Sequence, residues 1–259
     1  VSKKMLLCIQ YSKEEEARFL SHLDLMTAME RAFRRAGLPL AFSEGFNPHP
    51  RVSFASALAV GVTSEAEYLD VQLLEEIPAD EVLQRLNKVL PCGLCVRGAV
   101  PVTKRTESLM ALINLARYRV EVPFHSGDGV SSASTSDGAL YPPVEDVAGM
   151  QEKINKVISD VLATTTYLVQ RKSKKGLREV DIRPGIRELT GRLKEGGAES
   201  ILLLEMAVQI GSDGNVKPEE VVGMIGALSP FHLGNNLRIH RLGLYIETNG
   251  HDWSPLELS

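Results

Sequence analysis

The chain has 259 residues, 44% of them hydrophobic and 24% charged, with a formal net charge of −4. That length predicts two domains, and the composition excludes a disordered, fibrous or disulfide-stapled chain. No apolar run approaches the roughly 20 residues of a membrane span, and the acidic total excludes a general attraction to nucleic acid, which would need local basic patches.

Val1-Ser2-Lys3-Lys4-Met5 has no apolar stretch of signal-peptide length, so a cytoplasmic protein without a membrane partner is expected. Met5 to Tyr11 then reads as a short buried strand. Ser21-His22-Leu23-Asp24 predicts a helix start, with Ser21 as N-cap and Asp24 at the capping-box position. Leu25, Met26, Met29, Phe33 and Ala36 recur at helical spacing, and Gly37 ends the helix. The opposite face carries Thr27, Arg31, Arg34 and Arg35, with Arg18 and His22 near the helix start. From Arg18 to Arg51 five arginines face three acids, a local balance of +2. The plain alternative is a solvated face whose C-terminal arginines complement the helix dipole.

Leu38 to Ser43 predicts a short strand that enters the stretch Phe42-Ser43-Glu44-Gly45-Phe46-Asn47-Pro48-His49-Pro50-Arg51. Gly45 permits a positive φ there, while Pro48 and Pro50 fix their own φ and push Asn47 and His49 toward extended geometry. Such a loop is stiff before anything binds, which suits recognition; the alternative is a rigid turn with His49 and Arg51 merely solvated. Arg51 to Val60 leaves the loop as an apolar, small-residue run, and Glu65 to Leu74 alternates like a strand. Pro78-Ala79-Asp80 opens a second helix, and Gly93 to Val102 reads as a strand. The order β-α-β-β-α-β is the ferredoxin-like pattern. Cys92-Gly93-Leu94-Cys95 has no second pair, so buried thiols at the start of a strand compete with a redox or half-metal site.

Residues 105–116 are expected as a linker after a first domain of 1–104. The second domain is expected at 117–249, with 250–259 as a tail. In it Arg117 to Pro123 is a strand, His125 to Pro143 a mobile insertion, and Val144 to Leu162 a helix. Thr165 to Gln170 and Glu179 to Ile182 read as strands, and Arg183 to Leu193 as a helix started by Pro184. A strand Ser200 to Ile210, a helix Pro218 to Leu228 and a strand Leu237 to Glu247 complete it, and His240 in that last strand reads as structural. With the insertions stripped the same order repeats, so the fold class expected is α+β, two ferredoxin-like domains in tandem. From Arg171 to Arg183 six cations, including Lys174, Lys175 and Arg178, face two acids. A lysine-rich hairpin tip also serves simply to protect a sheet edge.

Arg18-Phe19-Leu20-Ser21-His22-Leu23-Asp24, Arg34-Arg35-Ala36-Gly37-Leu38-Pro39, Ser43-Glu44-Gly45-Phe46-Asn47-Pro48-His49-Pro50 and Val180-Asp181-Ile182-Arg183-Pro184 resemble the radical-SAM-linked protein family. This is a bacterial domain of unknown function found alone or fused after a radical SAM enzyme domain. The resemblance covers most of the chain and is strongest from Tyr11 to Asp70. It implies association with a radical SAM protein and, in some genomes, with genes for RNA processing and ribosomal proteins. The chain has no C-x-x-x-C-x-x-C run to hold the cluster of such an enzyme. The chemistry is therefore expected on a partner, with no cofactor here.

The reading that follows is an accessory protein that presents RNA to that enzyme. Arg31, Arg34, Arg35, Lys174, Lys175 and Arg178 would supply phosphate contacts, with Arg18, Arg51 and Arg183 as further binding residues. Phe46 would stack on an unpaired base, and His22, Asn47 and His49 would offer hydrogen bonds. A scaffold that docks only the radical SAM partner is the alternative. A further one is an RNA-processing enzyme with His22 or His49 as general acid/base. No nucleophile or metal triad is evident; Asp24, beside His22, is better explained as a cap than as a metal ligand.

Overall fold

A computed structural model describes residues 4–125, 146–173, 176–194 and 200–259. Its architecture is α+β, and the chain divides into two compact units, Val1–Ala116 with His240–Ser259, and Arg117–Ile239. Residues 105–116, expected as a linker, are part of the first unit, and so are the last strand and tail. Arg105 holds Asp70 in a buried ion pair at 2.6 Å, and Leu109 is buried, which is why this segment packs instead of spanning.

The first unit opens with strand β1 (Met5–Lys13) and helix α1 (His22–Arg35). Ser21 Oγ accepts from Asp24 N at 3.2 Å and Ser21 N donates to Asp24 Oδ2 at 3.3 Å, the reciprocal box expected at this start. At the other end Gly37 takes φ +65°, and the bonds Gly37 N to Arg34 O and Leu38 N to Phe33 O form a Schellman end. After the loop come β2 (Val52–Phe54), β3 (Thr63–Leu73), α2 (Ala79–Asn87), β4 (Leu94–Pro101) and the single turn α3 (Leu109–Leu112). Leu38 to Ser43 forms no strand: only isolated bridges join Leu40 to Leu73 and Phe42 to Pro50. Pro39 lacks an N–H and cannot donate to a ladder, although its carbonyl accepts from Leu74 N at 2.8 Å.

β1 lies between β4 and β3, antiparallel to both, and β2 pairs antiparallel with β3. Strand β11 (Arg238–Thr248) pairs in parallel with the start of β3 through His240↔Thr63 and Arg241↔Ser64, and β12 (His251–Trp253) folds back on it. Alternation sends Leu7, Ile9, Tyr11, Leu69, Val71 and Leu73 to the core under α1 and α2. Cys8, Gln10, Ser12, Tyr68 and Asp70 take the other face.

The second unit contains β5 (Leu115–His125), α4 (Val147–Ala163), β6 (Leu168–Ser173), β7 (Gly176–Asp181), β8 (Ile186–Lys194), β9 (Ile201–Gln209), α5 (Pro218–Leu228) and β10 (His232–Leu233). Residues 126–143, most of the expected insertion, lie outside the described residues. The sheet order is β5-β9-β8, with β10 on β5, while β6 and β7 form a hairpin of their own. The expected helix Arg183–Leu193 is β8, entered by a 3₁₀ turn at Arg183–Gly185. A bulge between Ile186 and Glu188 puts Ile186 and Leu189 both inward, three apart, which imitates a helical period. Gly191 also disfavours a helix, and a Cβ there would meet Ile158 Cδ1 of α4 at 2.7 Å.

Candidate functional site

The loop after α1 is closed at its neck. Ser43 N donates to His49 O at 2.8 Å and His49 N donates to Ser43 Oγ at 3.0 Å. Gly45, at φ +120°, makes the turn at the tip, a backbone that other residues rarely adopt. Phe46 stands wholly in solvent at that tip, and Asn47 and His49 are exposed beside it along the chain.

The basic residues divide into two groups. Arg31 and Arg34 are exposed on α1, with no side-chain partner among the described residues. Arg178 is exposed on β7, opposite Arg171 in the hairpin register. Lys174 and Lys175 lie outside the described residues. The others hold the protein together. Arg18 pairs with Glu15 at 3.1 Å and lies 4.9 Å over the Phe19 ring. Arg35 donates to Val89 O at 2.8 Å, and Arg51 reaches Phe42 O at 3.3 Å and Gln72 Oε1 at 3.4 Å. Arg183 donates to Ile186 O and to Leu162 O at the end of α4, while Asp181 accepts from Tyr167 N and Arg183 N. Asp181 and Arg183 of the Val180–Pro184 motif thus tie the hairpin and helix together. Arg171, from the basic run, is held by Glu220.

His22 sets its ring edge-on to Phe54, 5.5 Å between centroids, with Nδ1 buried and unpartnered among the described residues. Among the described residues no nucleophile or carboxylate is bonded to it. Cys92 is exposed, unlike the buried thiol expected, and no group of three metal-ligating side chains occurs among the described residues.

A cleft of about 760 Å³ lies in the first unit, lined by Ser12, Thr63, Glu65, Tyr68, Arg97 and His240 among others. No residue proposed for binding from sequence lines it. A buried charged row adjoins the cleft, and its Lys13 and Ser64 also line it. Lys13, Ser64 and Arg241 are register partners across β1, β3 and β11, and Arg241 clasps both oxygens of Glu67 at 3.0 and 2.9 Å. Lys13 is 1% exposed and donates to Leu20 O at 3.1 Å, which ties β1 to the start of α1. Burial lowers its ammonium pKa, against the raising effect of Glu67 and with the lowering effect of Arg241. The sequence signal for this row was Lys13 at an inward position after an apolar strand, and Glu67 inside the alternation of Glu65 to Leu74.

No curated protein matches the chain. Among solved structures, a chain of the "Crystal Structure of a Cbf5-Nop10-Gar1 Complex" is 11% identical with a TM-score of 0.44, and the match covers 91% of this chain and 47% of that one. An unknown protein from Galdieria sulphuraria is 10% identical over 93% of this chain and 98% of its own, with a TM-score of 0.25. The chain thus spans about half of the first of these. A family model does match, from residue 7 to residue 218, and its description is "Uncharacterized protein conserved in bacteria (DUF2344)". With that match over most of its length, the chain belongs to the DUF2344 family.

Proposed function

We propose that this protein binds RNA through the Ser43–His49 loop and the exposed arginines of α1, and presents it to a radical SAM enzyme. The loop geometry carries this reading. A neck closed by two hydrogen bonds holds a fully exposed Phe46 ring, with Asn47 and His49 next in the chain. An aromatic kept out of the core on a stiff loop suits stacking on an unpaired base, and amide and imidazole groups suit hydrogen bonding to its edge. Arg31 and Arg34 supply charge for phosphates. The radical SAM partner rests on the family resemblance of the Arg18–Asp24 and Ser43–Pro50 segments. In the same reading each unit is a ferredoxin-like domain. The order β4-β1-β3 with β2 on the outer edge of β3, all antiparallel, supports this in the first unit.

The test is binding to cellular RNA over a salt series, comparing the protein with Arg31→Ala/Arg34→Ala and with Phe46→Ala. The double variant is expected to flatten the slope by about 0.7 per lost phosphate contact. Phe46→Ala is expected to cost about 1–3 kcal/mol with the slope unchanged. Absence of binding at low salt overturns the RNA reading. Exposed Phe19 and Leu23 near the start of α1 favour the second reading, a docking surface for the radical SAM partner alone. In that case capture of the partner survives nuclease and is lost in Leu23→Glu.

A further inference from the structure

His240 faces Thr63 across the parallel pairing of β11 with β3. Its Nδ1 lies 2.7 Å from Thr63 Oγ1 and its Nε2 lies 2.9 Å from Glu65 Oε1. A carboxylate only accepts, so in the neutral ring Nε2 carries the proton and donates it to Glu65. Nδ1 then presents a lone pair, and the Thr63 hydroxyl is the donor. Hydroxyl, imidazole and carboxylate thus stand in the order of nucleophile, base and orienting acid, both links within the 2.6–3.2 Å range of such sites. A simple cross-strand pair would need only Thr63 and His240. Here all three residues line the one cleft, with Ser12, Tyr68 and Arg97 also in its walls.

We infer that Thr63, His240 and Glu65 form a nucleophilic site that hydrolyses small carboxylic esters in this cleft. Thr63 Oγ1 adds to the ester carbonyl carbon while its proton passes to His240 Nδ1. The bond to the alcohol oxygen then breaks, and the alcohol leaves with that proton. Water follows the same path: Nδ1 takes one of its protons, and its oxygen adds to the acyl carbon. The bond to Thr63 breaks, the acid departs, and the proton returns to Oγ1. Arg97, held by Glu14 and by Ser12 Oγ, lines the same cleft. Glu65 acts through His240 and is a positioning residue.

None of these groups belongs to the loop or the arginine surface, so the RNA reading and this one stand or fall apart. The probe is p-nitrophenyl acetate, an activated ester that needs little recognition. The full chain is expected to release a burst of p-nitrophenolate and to carry an acetyl group on the Thr63 peptide by mass spectrometry. Thr63→Ser is expected to retain the burst. Thr63→Val is expected to abolish it, and His240→Gln to slow acylation by about 100-fold or more. Glu65→Gln is expected to lower kcat by about tenfold with KM unchanged. Circular dichroism of each variant checks the fold. No acetyl on Thr63 in the folded protein, or an equal burst from folded Thr63→Val, overturns the assignment.

Discussion

Lys13, Glu67 and Arg241 place two buried cations against one buried acid, and the acid spends both oxygens on the arginine. Removing one partner of such a pair leaves uncompensated charge in a poorly solvated place. Glu67→Gln is therefore expected to lower stability by about 3–5 kcal/mol in urea denaturation. A loss under about 1 kcal/mol would show that water reaches the row. Alkaline pH acts on other buried groups. Burial pushes the Cys8 thiol up to about 11 and the Tyr68 phenol up to about 12, and raises Tyr11 as well. In each case the unfolded chain gives up its proton first, at 9.0 for the thiol and 10.0 for the phenols. Stability is therefore present below those values and falls as pH rises through the folded ones. Lys13 has the opposite sign: its lowered pKa makes stability rise toward 10.5. Cys8→Ala is expected to remove about 2–3 kcal/mol of the loss between pH 9 and 11, read from denaturation midpoints across that range. An unchanged pH slope would refute it.

At the scale of elements, α1 was legible from end to end because its signals are local. Its cap, stripe and terminating glycine lie within the helix or at most two residues outside it, so each acts on the same short segment. Ser21→Ala removes an oxygen that accepts from Asp24 N and is expected to cost about 1 kcal/mol of thermal stability. β8 was misread because its pattern is set by a partner. The bulge that shifts its register exists only when β9 lies beside it. Gly191 is the residue where that pairing meets the helix above. A Cβ there would lie 2.7 Å from Ile158 Cδ1 and 3.0 Å from Leu204 Cδ2. Gly191→Val is thus expected to cost about 1–3 kcal/mol by overpacking, in the same denaturation assay. The loop neck was legible only in part: the prolines and Gly45 announced stiffness, but the Ser43–His49 bonds arise only in the folded loop.

For the molecule as a whole, the first unit is discontinuous in sequence. It regains β11, β12 and the tail after the second unit is complete. A chain ending at Ile239 would lack Arg241, leaving Glu67 buried without its partner, and would lack Ser254, which bonds Tyr68 at 3.2 Å. Such a chain is expected to lose cooperative unfolding of the first unit, seen as rapid proteolysis within residues 4–116. A protease-resistant first unit would show that β11 is dispensable. The amino-acid sequence by itself determined the helices with capped ends, most of the strands and the stiff loop, since these follow from neighbours a few residues apart. Only the tertiary structure decided which arginines are free, because Arg35, Arg51 and Arg183 find carbonyl partners up to 54 residues away. It also decided the domain boundary and the meeting of Thr63, Glu65 and His240, side chains 175 and 177 residues apart that only strand pairing brings within a hydrogen bond.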